Sequence, residues 1–321
     1  MAQTKPIRGR FAPSPSGRMH LGNLFAALLT WLDVRSLGGE LLLRMEDLDP
    51  DRCRPDYALQ LADDLRWLRL DWDLGWQPGD PAFCQSSRTE DYHRAFQTLA
   101  AADLVYPCFC SRKERLDASA PHAADGTRVY SGRCRTLSEQ EKAALLKSGR
   151  RPAWRVQVPA STISFVDGLF GPQAQRLNQD CGDFILRRSD GVYAYQLAVA
   201  VDDGAMGITR VVRGQDLLSS TPRQIWLMEQ MGNPPPAYCH LPLLCAPDGR
   251  RLSKRERDLD VGVLRQHLTP EALTGFLAWT AGLLDRPQAV SPEELIGEFS
   301  WAKVGTADRV VDLAALSALL R

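Results

Sequence analysis

A segment near the start of the chain combines residue types and spacing that suit phosphate binding. Residues 7–12 have the pattern of a short strand, residues 13–17 form a proline-rich turn, and a helix is predicted to begin near His20. A helix start presents unpaired amide donors and the positive end of the helix dipole, Gly22 lets an anion approach, and His20 and Asn23 can both donate to it. The spacing alone leaves two interpretations open, a phosphate site and an ordinary first βα turn.

A second group suited to phosphate chemistry is the basic run Arg-Leu-Ser-Lys-Arg at residues 251–255. A basic loop suits the negative charge that develops on an α-phosphate and on departing pyrophosphate. By itself, a run of this length is also typical of a solvated surface loop.

Three cysteines have a spacing that suits a metal ion. Cys108 and Cys110 stand one residue apart, which is too tight for an easy disulfide but suits two thiolates on one ion, and Cys134 supplies a third. Zinc is the expected metal. The residues alone leave the fourth ligand open, since His122 is a nearby candidate of the usual type, and three buried cysteines without a metal are the alternative.

Two arginines and a glutamate stand where an amino acid could bind. Arg10 and Arg213 end predicted strands, the position at which ligands bind in open α/β sheets, and a guanidinium grips a carboxylate with a planar fork. Glu46 follows an apolar run at residues 41–45 and could accept a hydrogen bond from an ammonium group. A solvated strand end is the alternative interpretation of Glu46.

The elements that would position these residues follow an α/β order. A strand at 7–12, a helix whose apolar residues recur every three to four positions from Leu21 to Leu32, and a strand at 41–45 form a βαβ unit. This unit predicts a Rossmann-like, doubly wound parallel sheet. Further elements are expected as a helix between 55 and 70, a strand at 184–186 that resumes the sheet, a helix near 194–201, a strand at 209–213 and a helix at 220–231.

The α/β rhythm weakens in the middle of the chain, where turn residues, cysteines and a charged helix replace it. We therefore expect four segments: 1–105, the first half of the Rossmann-like domain; 106–159, a zinc-binding insertion; 160–258, the second half with the basic run; and 259–321, a short helical subdomain.

The composition of the chain argues against a membrane or secreted protein and leaves nucleic-acid binding open. Thirty-nine Lys+Arg balance 39 Asp+Glu, so net charge gives no reason to expect nucleic acid. Residues 133–155 are locally basic, which suits contact with an RNA backbone, although a solvated helix face is an equal alternative. The start of the chain has no apolar signal region, and no apolar run is long enough to span a bilayer, so the expected location is cytoplasmic.

The segment around His20 resembles the HIGH signature of class I aminoacyl-tRNA synthetases, and Phe-Ala-Pro-Ser-Pro-Ser-Gly at residues 11–17 resembles the glutamyl branch. Asn23 replaces the final His of the signature. The run at 251–255 is similar to the KMSKS loop of the same family. The resemblance implies catalytic roles for His20, Asn23 and Lys254, ATP binding by His20, Gly22, Asn23, Ser253 and Lys254, glutamate binding by Arg10, Phe11, Ala12, Pro13, Ser14, Glu46, Tyr195 and Arg213, and zinc ligation by Cys108, Cys110, Tyr130 and Cys134.

The resemblance covers roughly residues 7–260 and implies a glutamyl paralogue similar to the catalytic half alone. Such a paralogue takes L-glutamate and ATP with Mg, forms glutamyl-adenylate without tRNA, and transfers glutamate to queuosine in the anticodon of tRNA(Asp). Two alternatives remain, a truncated glutamyl-tRNA synthetase that charges a terminal adenosine and a noncatalytic RNA- or amino-acid-binding paralogue. No obligate protein partner is expected.

Overall fold

The computed structural model describes residues 6–111, 129–250, 252 and 260–319. The strands are β1 (Arg8–Phe11), β2 (Glu40–Leu43), β3 (Leu74–Gly75), β4 (Val105–Cys108), β5 (Ala153–Val156), β6 (Thr162–Asp167), β7 (Gly171–Arg176), β8 (Phe184–Arg187), β9 (Arg210–Gly214), β10 (Ala237–Leu241), β11 (Leu244–Cys245) and β12 (Arg309–Val310). The helices are α1 (Leu21–Ser36), α2 (Pro55–Trp67), α3 (Thr89–Ala101), α4 (Glu139–Lys147), α5 (Leu177–Asp180), α6 (Tyr195–Ala205), α7 (Thr221–Gln230), α8 (Val261–Leu264), α9 (Pro270–Ala281), α10 (Pro292–Leu295), α11 (Trp301–Val304) and α12 (Leu313–Leu319).

A mostly parallel sheet forms the centre of the molecule, with the strand order β3-β2-β1-β9-β10-β6-β7. β1 and β2 pair in parallel across the crossover helix α1, which confirms the predicted βαβ unit. Gly9 is required at the packing contact between β1 and α1, because a Cβ atom there would lie 2.2 Å from a methyl group of Val34. The predicted strand at 209–213 and the helices at 194–201 and 220–231 are confirmed as β9, α6 and α7.

A separate antiparallel sheet holds β4, β5 and β8. The expectation that the strand at 184–186 resumes the central sheet is wrong, because β8 pairs with β5. Asp183, just before β8, explains this position: its buried carboxylate accepts from Tyr106 Oη at 2.7 Å and from the amide of Val158 at 3.0 Å. The hairpin β6–β7 extends the central sheet instead, through β10. The division into four segments stays a prediction.

The segment from residue 260 onwards is mostly helical, as expected, and packs against α1. Asp33 of α1 is the polar anchor of this packing, since it accepts from Trp301 Nε1 at 2.6 Å and pairs with Arg210 Nε at 2.7 Å. The strand β12 was not anticipated and pairs in parallel with β11. Within the described ranges, none of the helices combines the length and apolar character that crossing a bilayer requires.

A buried charge cluster joins the end of β2 to α6. Arg44 is 0% exposed and lies 2.8 Å from Asp203, 3.2 Å from Glu46 and 3.8 Å from Asp202. Arg88 pairs with the other oxygen of Asp202 at 2.7 Å. Burying three carboxylates is costly unless cations and hydrogen bonds compensate them, so the two arginines are required where they stand.

Replacing Arg44 should therefore lower the free energy of unfolding far more than replacing an exposed arginine does. Arg44→Ala leaves buried carboxylates uncompensated, and we expect the free energy of unfolding to fall by about 3–5 kcal/mol. Arg94→Ala, which removes a 67%-exposed partner of Asp91, should cost about 1 kcal/mol or less. Urea denaturation measures both. Similar losses in the two variants would show that the buried cluster does not determine stability.

Candidate active site

The first turn of α1 is held by a reciprocal cap that uses two of the predicted phosphate-binding residues. His20 is the N-cap, and its Nδ1 accepts from the amide of Gly22 at 3.1 Å. In return, Oδ1 of Asn23 accepts from the amide of His20 at 3.1 Å. Because Nδ1 is an acceptor, a neutral His20 ring carries its proton on Nε2, and that atom and the amide nitrogen of Asn23 can donate to an anion.

The cap requires a glycine at position 22, and so does the space that an anion needs. A Cβ atom at this position would lie 3.0 Å from Cε1 and 3.1 Å from Nδ1 of His20, which would displace the imidazole. The first turn of α1 contains no acidic residue, so its positive dipole end is not neutralised locally. The geometry is that of a helix N-terminal anion site.

A cavity of about 200 Å³ opens beside this helix start, and most of the predicted binding residues line it. Those that line it are Arg10, Phe11, Ala12, Pro13, His20, Gly22, Asn23, Glu46, Tyr195 and Arg213. Ser14 lines a neighbouring cavity, and Glu46 and Tyr195 form the wall common to both. Ser253 and Lys254 lie outside the described residues, although Leu252 lines the first cavity. The individual roles of these residues stay predictions.

Two buried arginines place positive charge in the cavity wall. Nε of Arg10 lies 3.6 Å from Oδ1 of Asp203, and Nη1 of Arg10 donates to the carbonyl oxygen of Val212 at 3.3 Å. Arg213 donates to Gln224 and Thr221, each at 2.7 Å. Because protein groups hold both guanidinium groups in place before any ligand arrives, the cavity is preorganised for a carboxylate.

Glu46 places a carboxyl group in the wall of the same cavity. Burial raises the pKa of Glu46, the positive charges of Arg44 and Arg10 oppose this effect, and the net direction is upward. One of its oxygens accepts from Arg44 at 3.2 Å. Tyr195 stands at the first position of α6 beside Glu46, and burial raises the pKa of its phenol, so it enters the site as a neutral hydroxyl. A substrate with one ammonium and two carboxylates matches this charge distribution.

Part of the cavity wall consists of residues that were not predicted from the sequence. The missed residues are Phe25, Ala26, Thr30, Val212, Gly214, Asp216, Leu217, Leu241, Pro242, Leu243, Leu244 and Leu252. Several follow the carboxyl ends of β9 and β10, where ligands bind in parallel sheets. The run from Tyr238 to Leu241 carried a signal for β10, but a cysteine and a histidine interrupt its apolar pattern.

The predicted metal ligands converge at the antiparallel sheet. The Sγ atoms of Cys108, Cys110 and Cys134 all lie within 4.8 Å of one another, and Tyr130 Oη lies 3.5 Å from Sγ of both Cys108 and Cys110. Arg155 donates to Cys108 Sγ at 3.3 Å, and its guanidinium lies 3.8 Å from the ring centre of Tyr130. Three thiols and a phenol beside a cation could hold a metal ion. His122 lies outside the described residues.

The basic stretch at 133–155 offers less surface charge than its sequence suggests. Arg155 is buried against the cysteine cluster, and Lys142 pairs with Glu139 at 2.7 Å. Arg135 lies 3.5 Å from Asp183. The interpretation as an RNA-contacting surface therefore rests on the other basic residues of this stretch.

The mostly parallel sheet, the capped helix start and the charged cavity at the carboxyl ends of the strands define a class I aminoacyl-tRNA-synthetase-type catalytic domain. The family described as "tRNA synthetases class I (E and Q), catalytic domain" matches residues 6–304. The chain belongs to this family, and it is a ligase of the aminoacyl-tRNA synthetase type.

Similar proteins cover nearly the whole chain. A Glutamyl-Q tRNA(Asp) synthetase from Nitratidesulfovibrio vulgaris is 51% identical over 318 residues, which span 98% of both sequences. A protein of the same name from Symbiobacterium thermophilum is 48% identical over 302 residues, or 92% of this chain and 93% of the relative. The crystal structure of a glutamate tRNA ligase from Elizabethkingia meningosepticum, in complex with its amino acid, matches with a TM-score of 0.82 and 28% identity over 98% of this chain and 69% of that one.

Two substitutions of Asn23 should separate its capping role from a role in ATP binding. Asn23→Ala removes the acceptor for the His20 amide and should lower the free energy of unfolding by about 1 kcal/mol. Asn23→Asp keeps an acceptor and adds a favourable charge at the helix start, so stability should persist, while repulsion of phosphate should raise the KM for ATP. Chemical denaturation and ATP–pyrophosphate exchange measure the two effects. An unchanged KM for ATP in Asn23→Asp would contradict the phosphate contact.

Proposed function

We propose that this protein activates L-glutamate with ATP, without requiring tRNA, and transfers the glutamyl group to queuosine in the anticodon of tRNA(Asp). One observation carries the first half: Arg10, Arg213 and Glu46 line a single cavity with the N-terminus of α1. The cavity thus unites charges that complement glutamate with an anion site for ATP. The names of the full-length relatives support the second half, the choice of acceptor.

The activation step needs no protein nucleophile. A carboxylate oxygen of glutamate attacks the α-phosphorus of Mg·ATP in line, the new P–O bond forms, and the bond to pyrophosphate breaks. The arginines and Glu46 hold the amino acid, while His20, Asn23 and the helix N-terminus stabilise charge on the phosphates, with Lys254 as the expected further cation. The rate then depends on position and electrostatics.

The transfer step uses a hydroxyl of the cyclopentenediol ring of queuosine. Its oxygen attacks the acyl carbon of glutamyl-adenylate, an ester forms, AMP leaves with the bonding electrons of the acyl–phosphate bond, and the phosphate of AMP takes up the hydroxyl proton. The cis-diol of queuosine can stand in for the diol of a terminal ribose, so adenylate chemistry of this type can serve queuosine as the acceptor.

The cysteine cluster is proposed to hold one structural zinc ion, with Cys108, Cys110, Cys134 and Tyr130 as ligands. Zinc with thiolate ligands stabilises small folded units that bury little apolar surface. Among the residues that the structure describes, few apolar side chains surround this cluster, which is consistent with a metal as its main cross-link. The ion would have no part in adenylate chemistry.

Cys110→Ser should release the zinc and loosen the antiparallel sheet, because one of the ligands is lost. Metal analysis of the purified protein should give about one zinc per chain for the wild type and much less for the variant. Cys84→Ser, which alters a cysteine outside the cluster, is the matched control and should retain the ion. Wild-type protein that is folded, active and free of metal would refute the zinc proposal.

The acceptor proposal predicts which diol is protected after reaction. Because the acceptor is queuosine, an isolated anticodon stem-loop of tRNA(Asp) that contains it should accept radiolabelled glutamate, and the ester should protect the queuosine diol from periodate. The same stem-loop without queuosine is the control and should remain unlabelled.

Other outcomes of this experiment identify the two alternatives. With intact tRNA(Asp) in place of the stem-loop, label that follows the 3′ ribose, or that forms equally without queuosine, would favour a glutamyl-tRNA synthetase that charges a terminal adenosine. Binding of RNA or glutamate without any adenylate would indicate a noncatalytic paralogue.

A further inference from the structure

The guanidinium of Arg213 is held by a chain of buried groups that reaches across three strands. Arg213 on β9 and His240 on β10 are register partners, and Nε of Arg213 donates to Nε2 of His240 at 3.0 Å. On its other side, His240 Nδ1 lies 2.6 Å from Oδ2 of Asp167, the last residue of β6. The side chains of His240 and Asp167 are both 0% exposed.

The surroundings of Asp167 show which atom of His240 carries the proton. The carboxylate also accepts from the backbone amides of Leu169 and Phe170, each at 3.0 Å, and from the amide of His240 at 3.1 Å. Burial opposes ionisation, but the hydrogen bond from His240 and these amides hold the pKa of Asp167 below its ordinary value. An ionised Asp167 only accepts, so Nδ1 of His240 must donate to it.

With the proton on Nδ1, a neutral His240 presents Nε2 as an acceptor to Arg213. Burial lowers the pKa of His240, as do the positive charges of Arg213 and Arg10, whereas Asp167 raises it, and the net direction is downward. The neutral ring is therefore the form that faces the arginine. The opposite tautomer would place two N–H groups against each other at a contact of 3.0 Å.

We propose that Asp167 and His240 are positioning residues: they hold Arg213 in the orientation in which it binds the carboxylate of the substrate. This inference rests on the proposed activation of glutamate. Thr221 and Gln224 fix the two terminal nitrogens of Arg213 from α7, and His240 fixes its Nε, so the plane of the guanidinium is determined from three directions. The other Nη2 hydrogen bond goes to the carbonyl oxygen of Leu217, so one N–H of Nη1 is left for a substrate carboxylate, and its direction depends on this fixed plane.

Two substitutions of His240 separate its two hydrogen bonds. In His240→Asn, the amide nitrogen replaces Nδ1 and can still donate to Asp167, but the acceptor for Arg213 is lost. In His240→Gln, the amide oxygen reaches the position of Nε2 and can accept from Arg213, while the contact with Asp167 is lost. The proposal predicts that His240→Asn raises the KM for glutamate by about tenfold or more. His240→Gln should keep a KM for glutamate close to that of the wild type, and the KM for ATP should be unchanged in both variants.

The role of Asp167 is tested by its dependence on the histidine. Asp167→Asn should raise the KM for glutamate when His240 is present, because the tautomer is no longer fixed, but it should add little in the His240→Gln background, where the acceptor is an oxygen. Asp183→Asn, which alters another buried aspartate in the antiparallel sheet, is the matched control for loss of stability and should leave the KM for glutamate unchanged.

Glutamate-dependent ATP–pyrophosphate exchange without RNA measures both KM values, and thermal unfolding monitors the fold. Equal effects of His240→Asn and His240→Gln, or parallel changes in the KM values for ATP and glutamate, would overturn the positioning role. Wild-type protein that shows no exchange with glutamate would instead refute the proposed function, so the two failures are distinguishable.

Discussion

The salt-bridge cluster around Arg44 is the constraint on which the rest of the site depends. Arg44 connects the end of β2 to Asp202 and Asp203 in α6, residues that lie far apart in the chain. Through this connection Glu46 and Tyr195, which follow β2 and begin α6, come to share one wall of the cavity. Such a cluster adds little net stability compared with apolar packing, although removing one partner is costly, and its contacts hold β2 and α6 close together. The buried charges of the Arg44 cluster thus position Glu46, a charged group of the cavity wall.

The start of α1 combines a structural cap with a candidate anion site. The cap between His20 and Asn23 satisfies amide donors that would otherwise lack a partner, and it orients the imidazole at the same time. An Asn in place of the final His of the family signature is compatible with this arrangement, because the cap needs an acceptor at that position and not a charge. The departure from the signature therefore has a structural explanation.

Elements set by contacts local in sequence could be predicted, whereas those set by contacts between distant residues could not. The β1–α1–β2 unit was predictable because its apolar periodicity and its turn residues are local in sequence. The pairing of β8 with β5 was not, since a four-residue apolar strand has the same pattern in either sheet and its partner is set by contacts such as those of Asp183. For the same reason Arg213, at the end of a predicted strand, could be predicted as a cavity residue, whereas the contacts of His240 and Asp167 with it could not. Those contacts join side chains from three strands, and no local pattern encodes them.

The described residues in and after the basic run contact the site. Within the run, the amide of Leu252 donates to the carbonyl oxygen of Leu244 at 3.1 Å, and both residues line the cavity. After it, the amide of Val261 donates to the carbonyl oxygen of Met19 at 3.2 Å, and Asp260 forms a β-bridge with His20. Leu252 thus lies in the cavity wall, and Asp260 and Val261 lie beside the N-terminus of α1. Proximity of this kind, which a five-residue motif with three basic residues cannot reveal, makes a common surface motif a candidate catalytic one.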